Sequence, residues 1–360
     1  MRSAFIKNLY KWYDLNKRDH PWLGSHNAYL IWLSEVIMQQ TRIEQGTSYF
    51  LKFAKRFPTI NDLAKADETI VLKLWEGLGY YSRARNLLFT AKEIVSKYNS
   101  RFPETYEEII KLKGIGNYTA SAILSFAFQL PYAVIDANVL RILSRYFGIH
   151  EPIDSNKGRK QFDALAQKLI DKKEPGKYNQ AIMDFGALVC TPVAPRCEDC
   201  PLQKNCWAFK NAAIHVLPVK IKKTAKRKRF FNYLVFTDGK STLIQQRKTK
   251  DIWSGLFQFP LLETTKKINR KQLTSLSGFK KICNGTEFKI HSVISIRQQL
   301  THQLLDVNFY LIEIKDLSKI GDHNYQTVSR NGLKKFAFPG AIRDYLSEIT
   351  TFRFHFLEKT

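Results

Sequence analysis

Four of the five cysteines in this 360-residue chain lie in one loop, "CTPVAPRCEDCPLQKNC", running from Cys190 to Cys206. Their spacing is Cys190-x6-Cys197-x2-Cys200-x5-Cys206, punctuated by Pro192, Pro195 and Pro201. Thiols this close together either ligate metal or form strained local disulfides. The amino terminus, "MRSAFIKNLYKWYDLNKRD", scatters charge through its apolar residues and does not read as a secretion signal, so ligation is the expectation. A structural zinc usually takes two CxxC pairs and only one is present here, which makes zinc the second choice. A cubane [4Fe–4S] iron–sulfur cluster on four unevenly spaced thiolates is the first. Lone Cys283 reads as a core residue. Arg196 and Lys204 would give the loop a positive, rigid surface suited to phosphate.

Glu35, in "IWLSEVIMQQTR", is the second residue of interest. On a helix it has Ile31 and Trp32 one turn before it and Met38 and Gln39 one turn after, so its carboxylate leaves a largely apolar face. Burial there would raise its pKa and keep a proton available near neutral pH; the ordinary alternative is a surface ion pair. Farther on, "YEEIIKLKGIGNYTASAILSF" reads as helix, Gly114-Ile115-Gly116, helix. Two glycines allow a tight turn and expose N–H groups where the second helix dipole favours an anion. Asp136, in "AVIDANVLRIL", follows a break at Pro131 and by itself reads as a helix cap.

The elements that must position these residues belong to a basic, soluble chain. Fifty-seven Lys and Arg against 32 Asp and Glu give a net charge of +25, more than solubility needs, which points to a polyanionic partner. The stretch from Gly114 to Ile135 has no charge and is nominally long enough to span a membrane. Asn117, Ser121, Ser125 and Gln129 draw a polar stripe down it, however, and Pro131 ends it, so it reads as a buried soluble helix and no membrane partner is expected. Residues 1–209 read as an all-α domain. Residues 210–228 form a basic linker, where "KIKKTAKRKR" carries seven basic residues and no acid. Residues 229–360 read as a smaller α+β domain, with a hairpin at Asp238-Gly239, a strand in "DVNFYLIEI" and a terminal helix over Gly340 to Ile349.

Together, helix, GxG hairpin, helix, an Asp twenty residues beyond the second Gly, and the cysteine loop resemble the helix-hairpin-helix DNA glycosylase superfamily. Within it, residues 18–206 are most similar to the MutY, or adenine DNA glycosylase, family. The resemblance implies a structural cluster on Cys190, Cys197, Cys200 and Cys206. It also implies a hairpin at Gly114 and Gly116 that grips a backbone phosphate, often with a monovalent cation, and a flipped target base. Tyr118 stands where lyases of the endonuclease III type carry a nucleophilic lysine, so monofunctional base removal is implied, with Tyr118 and Asn138 placing the sugar and water. Glu35 matches the family's catalytic glutamate and Asp136 its partner carboxylate. Gln40, with Thr41 beside it in "MQQT", and Tyr80 in "GLGYYSR" match residues that contact DNA and enter the base stack.

Residues 229–350 resemble the family's Nudix-like domain, which recognises 8-oxoguanine; "DIWSGLFQFP" fits its tryptophan signature, and no Gly-x5-Glu-x7-Arg-Glu box for pyrophosphate hydrolysis is present. "QLTHQLL" would set Thr301 and His302 against the lesion, with Leu300 where Phe is frequent. Ala137 replaces a frequent Gly, and Leu23 a frequent polar or basic residue. The implied protein is a cytoplasmic, nucleoid-associated monomer that excises adenine opposite 8-oxoguanine or guanine in double-stranded DNA. Its rivals are a bifunctional lyase and a non-catalytic iron–sulfur damage binder.

Overall fold

The computed structural model describes residues 2–221, 226–248, 251–321 and 324–351; residues 222–225 of the expected basic linker lie outside the described residues. The chain divides into two compact units, Met1–Ala66 with Arg85–Lys223, and Asp67–Ala84 with Thr224–Thr360.

The first unit is helical. Its framework is α1 (Arg2–Asn16), α2 (Ala28–Met38), α3 (Ile43–Arg56), α4 (Asn117–Ala127), α5 (Ala137–Phe147), α6 (Asn156–Leu169) and α7 (Pro175–Leu188). The apolar positions of α5, Val139, Ile142, Leu143 and Tyr146, recur at helical spacing and pack with Phe5 and Leu9 of α1, Phe162 of α6 and Ile182 and Phe185 of α7. Each such side chain contributes about 1.5–3 kcal/mol on burial, which fixes the start of α5 against its neighbours. Helix α2 is different, because Ile31, Trp32, Leu33, Val36 and Ile37 leave almost no polar face and it is buried nearly all round. Asn27 caps it, its Oδ1 accepting from the Tyr29 and Leu30 N–H groups at 3.0 and 3.3 Å.

Helices α2 and α4 run antiparallel: Gln39, just past α2, donates through Nε2 to Thr119 Oγ1 in the first turn of α4 at 3.2 Å. Helix α4 is shorter than its charge-free stretch suggests. It stops at Ala127, and Gln129 in the left-handed region (φ 52°) turns the chain before Pro131 is reached. Of the polar stripe, Ser121 and Ser125 are buried. Ser125 Oγ accepts from Asn179 Nδ2 of α7 at 2.8 Å, while Asn179 Oδ1 accepts from the Val134 N–H at 3.1 Å, so the stripe is in part a hydrogen-bonded seam between helices. Among the described residues no helix is long and apolar enough to cross a membrane.

The second unit is built on a mixed sheet of β1 (Arg227–Thr237), β2 (Ser241–Gln246), β3 (Phe257–Gln258), β4 (Leu261–Thr264), β5 (Lys289–Gln299), β6 (Gln303–Glu313) and β7 (Gln326–Ser329), with α8 (Arg270–Ser275), α9 (Ser277–Cys283) and α10 (Gly340–Thr351). Strand order is β3-β2-β1-β6-β5; β4 also pairs with β1 and β7 with β2. Among the described residues only β1 and β6 pair in parallel; the other pairs are antiparallel. The expected hairpin is present: Asp238 Oδ1 accepts from the Lys240 and Ser241 N–H groups, and Gly239 takes a φ of 92°. Alternation along β1 feeds two cores. Phe231, Tyr233 and Val235 pack with Phe309, Phe338 and Tyr345 on one face, and Leu234 and Phe236 pack with Phe279, Cys283 and Tyr310 on the other. Cys283 is thus the core residue its isolation suggested.

Candidate active site

Helix α2 carries Glu35 one turn beyond Ile31 and Trp32, which are 2% and 1% exposed, and Glu35 itself is half-buried. What surface it keeps faces a cavity of about 480 Å³ that reaches it, with Trp22, Leu23, Phe126 and Gln180 among its walls. Burial pushes the Glu35 carboxyl up to about 7; the neighbouring Asp136 carboxylate adds to the rise, and a hydrogen bond from Tyr118 opposes it.

Asp136 is both a helix cap and a neighbour of Glu35. As N-cap of α5 it accepts from the Val139 N–H at 2.8 Å through Oδ1 and from Asn138 Nδ2 at 2.7 Å through Oδ2. Asn138 is in turn held by Arg141, whose guanidinium donates to Asn138 Oδ1 at 2.8 Å, Gly186 O at 2.7 Å and Cys190 O at 2.6 Å. Burial raises the Asp136 carboxyl also, while Val139, Asn138 and Arg141 counter that rise. The two acids therefore differ in their donors. Two carboxylates in one poorly hydrated site do not both ionise readily, and the one with more hydrogen-bond donors takes the charge. Asp136 is that one, and Glu35 keeps the proton. Ala137, the departure from Gly, begins α5 in helical conformation and is exposed, so its methyl group meets no backbone strain.

Tyr118 lies in the first turn of α4, its hydroxyl 3.5 Å from Met183 Sδ. Burial holds its phenol well above the usual tyrosine range, so it stays neutral. The two hairpin glycines do different work. Gly114 needs its positive φ of 83°, and a Cβ there would meet Asn86 at 2.8 Å; at Gly116, the N-cap of α4, a Cβ would meet nothing within 4 Å, which leaves the N–H groups approachable. Gln40 follows α2, exposed and with a positive φ of 55°; Thr41 Oγ1 beside it donates to Gln39 O at 3.3 Å.

In the second unit the structure brings together two of the sequence-selected residues: Tyr80, 44% exposed and with a positive φ of 47°, hydrogen-bonds through its hydroxyl to Thr301 Oγ1. Thr301 and His302 form the turn between β5 and β6, closed by the Leu300 N–H donating to Gln303 O at 2.8 Å, and both are exposed. Leu300, by contrast, packs against the core beneath.

The four loop cysteines all line one small cavity, with Arg145 at its wall. Arg145 donates to Cys190 Sγ at 3.5 Å, to Thr191 O at 2.7 Å and to Pro192 O at 3.1 Å, so one buried cation secures the loop. Burial pushes the Cys200 thiol up to about 12 and raises Cys197 and Cys206 as well, with the neighbouring thiols adding to each rise. Arg196 is exposed on the same loop.

Sequence reasoning missed a second polar arrangement. Arg18 Nε donates to Asp184 Oδ1 at 2.9 Å, and Gln180 Nε2 donates to the same oxygen at 3.1 Å. Asp184 is fully buried, and its tie to Gln180 fixes which way that carboxamide faces on the cavity wall. The one local signal is an aspartate four residues after a glutamine on an otherwise apolar helix, "NQAIMDFGAL"; Arg18 is 166 residues away and gives none.

Residues 33–172 match the family of the HhH-GPD superfamily base excision DNA repair protein, and residues 232–348 match the NUDIX domain. A capped aspartate, a half-buried glutamate and a glycine hairpin on this helical frame thus sit within a base-excision repair class. An adenine DNA glycosylase of Buchnera aphidicola subsp. Baizongia pistaciae is 34% identical over 363 residues, spanning 98% of each chain. The Homo sapiens adenine DNA glycosylase is 41% identical over 215 residues, 57% of this chain and 39% of the human one. The chain belongs to the adenine DNA glycosylase family. Among solved structures, a thermostable thymine-DNA glycosylase superposes with a TM-score of 0.55 at 28% identity, over 58% of this chain and 97% of its own. Endonuclease III in a non-covalent DNA complex gives 0.51 at 22% identity, over 59% and 98%, a likeness of fold.

Proposed function

We propose that this protein removes adenine paired with 8-oxoguanine or guanine from double-stranded DNA, as a monofunctional N-glycosylase acting as a monomer. The observation that carries the reading is the unequal pair: Glu35, half-buried on an apolar helix and with its carboxyl up at about 7, beside an Asp136 carboxylate supplied with donors by Val139 and Asn138. Breaking the bond between C1′ and N9 sends its electron pair into the purine and leaves positive charge on the sugar. Glu35 donates its proton to N7 of the flipped adenine, and the base departs neutral. The Asp136 carboxylate stabilises the oxocarbenium-like sugar or captures it covalently; water then adds to C1′ and its proton returns to Glu35. Tyr118 and Asn138 orient sugar and water. A lysine nucleophile for strand scission is missing at position 118, which favours the monofunctional reading over a lyase.

Gly114 and Gly116, with a monovalent cation, and Arg196 contact phosphates; Gln40, Thr41 and Tyr80 contact the opened stack, and Thr301 and His302 read 8-oxoguanine. The division at residues 209 and 229 into glycosylase domain, linker and Nudix-like domain is part of the same proposal, as is a place in the cytoplasm with the nucleoid. Cys190, Cys197, Cys200 and Cys206 would hold a [4Fe–4S] cluster whose role is to fold the loop. The donor set fits: four thiols line one void. One CxxC pair with uneven spacing suits a cluster in which each iron takes one thiolate better than a single tetrahedral zinc.

The test is to incubate the protein with duplexes bearing adenine opposite 8-oxoguanine, guanine or thymine, and to compare strand breaks with and without hot alkali. Breaks at adenine that require alkali are expected opposite the first two. Breaks without alkali, or a borohydride-trapped Schiff base in good yield, would replace this reading with a lyase.

A further inference from the structure

The cavity that reaches Glu35 opens away from the hairpin. Gln39 joins the end of α2 to the first turn of α4, the turn that holds Tyr118 and follows Gly116. The cavity takes its walls from the opposite ends of those two helices, Ile31 of α2 and Phe126 of α4, with Gln129 just beyond. Helix α7 serves as a ruler along the same axis. A Cβ on Gly186 would meet Asn138 at 2.6 Å, Met183 meets the Tyr118 hydroxyl at 3.5 Å, Gln180 lines the cavity, and Gly176 packs on Ser125 O and Gln129. From Met183 to Lys177 is about 9 Å of helix at 1.5 Å per residue. The residues at the far end, Asp14, Lys17, Gly24, His26 and Gln129, are all exposed. Glu35 therefore lies at the inner end of a passage whose mouth is on the side remote from Gly116 and Tyr118.

We infer that this passage is the exit for the excised base: free adenine leaves through the mouth at Lys17, Ser25 and Gln129 while the abasic duplex still occupies the hairpin side. The inference rests on the glycosylase reading. The chemistry fits a small neutral heterocycle. The walls nearest Glu35 are apolar and aromatic, from Trp22, Leu23, Ile31 and Phe126, and a volume of about 480 Å³ falls within the range of about 300–1,000 Å³ that small ligands occupy. At the mouth, Lys177 pairs with Asp14 at 3.1 Å, which leaves a polar, hydrated rim where a purine regains water.

The test uses the full chain with enzyme in excess over a duplex carrying radiolabelled adenine opposite guanine. Ser25→Trp and Lys17→Trp, at the mouth and outside the catalytic groups, narrow the opening; circular dichroism and melting checks confirm that each folds. At each time point one sample goes to hot alkali, to count cleaved glycosidic bonds, and another to rapid filtration, to count free adenine. In the unaltered protein the two should rise together. In the variants, bond cleavage should stay within about twofold while free adenine lags at least tenfold. Free adenine keeping pace with cleavage in both variants would overturn the inference. So would a loss of cleavage in a folded variant, because the passage would then be holding the base rather than releasing it. No cleavage by the unaltered protein would instead refute the glycosylase reading.

Discussion

The Glu35 and Asp136 pair in the helical unit and the Thr301–His302 turn in the sheet unit follow opposite construction rules. Each acid is set by a helix terminus or a buried helix, and one is tied to its surroundings through Val139, Asn138 and Arg141. The turn stands in solvent on two residues, with Leu300 packed on the core and Tyr80 bonded to Thr301. Proton transfer depends on a shifted pKa, which burial chiefly supplies at Glu35, whereas reading a base edge needs accessible donors and acceptors. Substitutions in the first region should therefore act on the rate of bond cleavage, and those in the second on the choice of substrate.

The largest break in that contrast comes from Glu35→Gln, which keeps shape and removes the proton. Single-turnover excision should fall by about two to four powers of ten, with duplex binding retained in a gel-shift assay; excision at the normal rate would remove Glu35 from the chemistry. Next is pH. Glu35 works protonated, so activity should fall as pH rises through about 7, by about tenfold per unit, in a single-turnover profile. Arg18→Met should leave Asp184 as an unpaired buried carboxylate and cost about 3 kcal/mol or more in urea unfolding. The smallest change is expected from His302→Ala. One exposed hydrogen bond is worth about 0.5–1.5 kcal/mol, so preference for 8-oxoguanine over guanine should shrink by tenfold or less, with guanine-paired excision unchanged. An equal loss on both substrates would show that the turn does not discriminate.

Much of this was legible in the chain. The apolar flanks of Glu35, the Asp238-Gly239 turn and the change from helical to alternating patterning near residue 227 are local signals, and local packing obeyed them. The end of α4 was not, because Gln129 turns the chain in a conformation that its sequence does not announce. Nor was the tie between Arg18 and Asp184, or the Arg141 clamp on Asn138 and Cys190. These depend on helices distant in sequence meeting face to face, and the basic residues involved look like any other surface arginine.

Gln40 and Tyr80, the two residues matched to the base stack, share a feature: both occupy the left-handed backbone region without being glycine. Such a conformation costs an L-residue on the order of 1–2 kcal/mol, which the rest of the fold has already absorbed. A side chain on this kind of backbone is a stiff wedge rather than a tethered finger. It would enter a base stack with little backbone freedom left to lose.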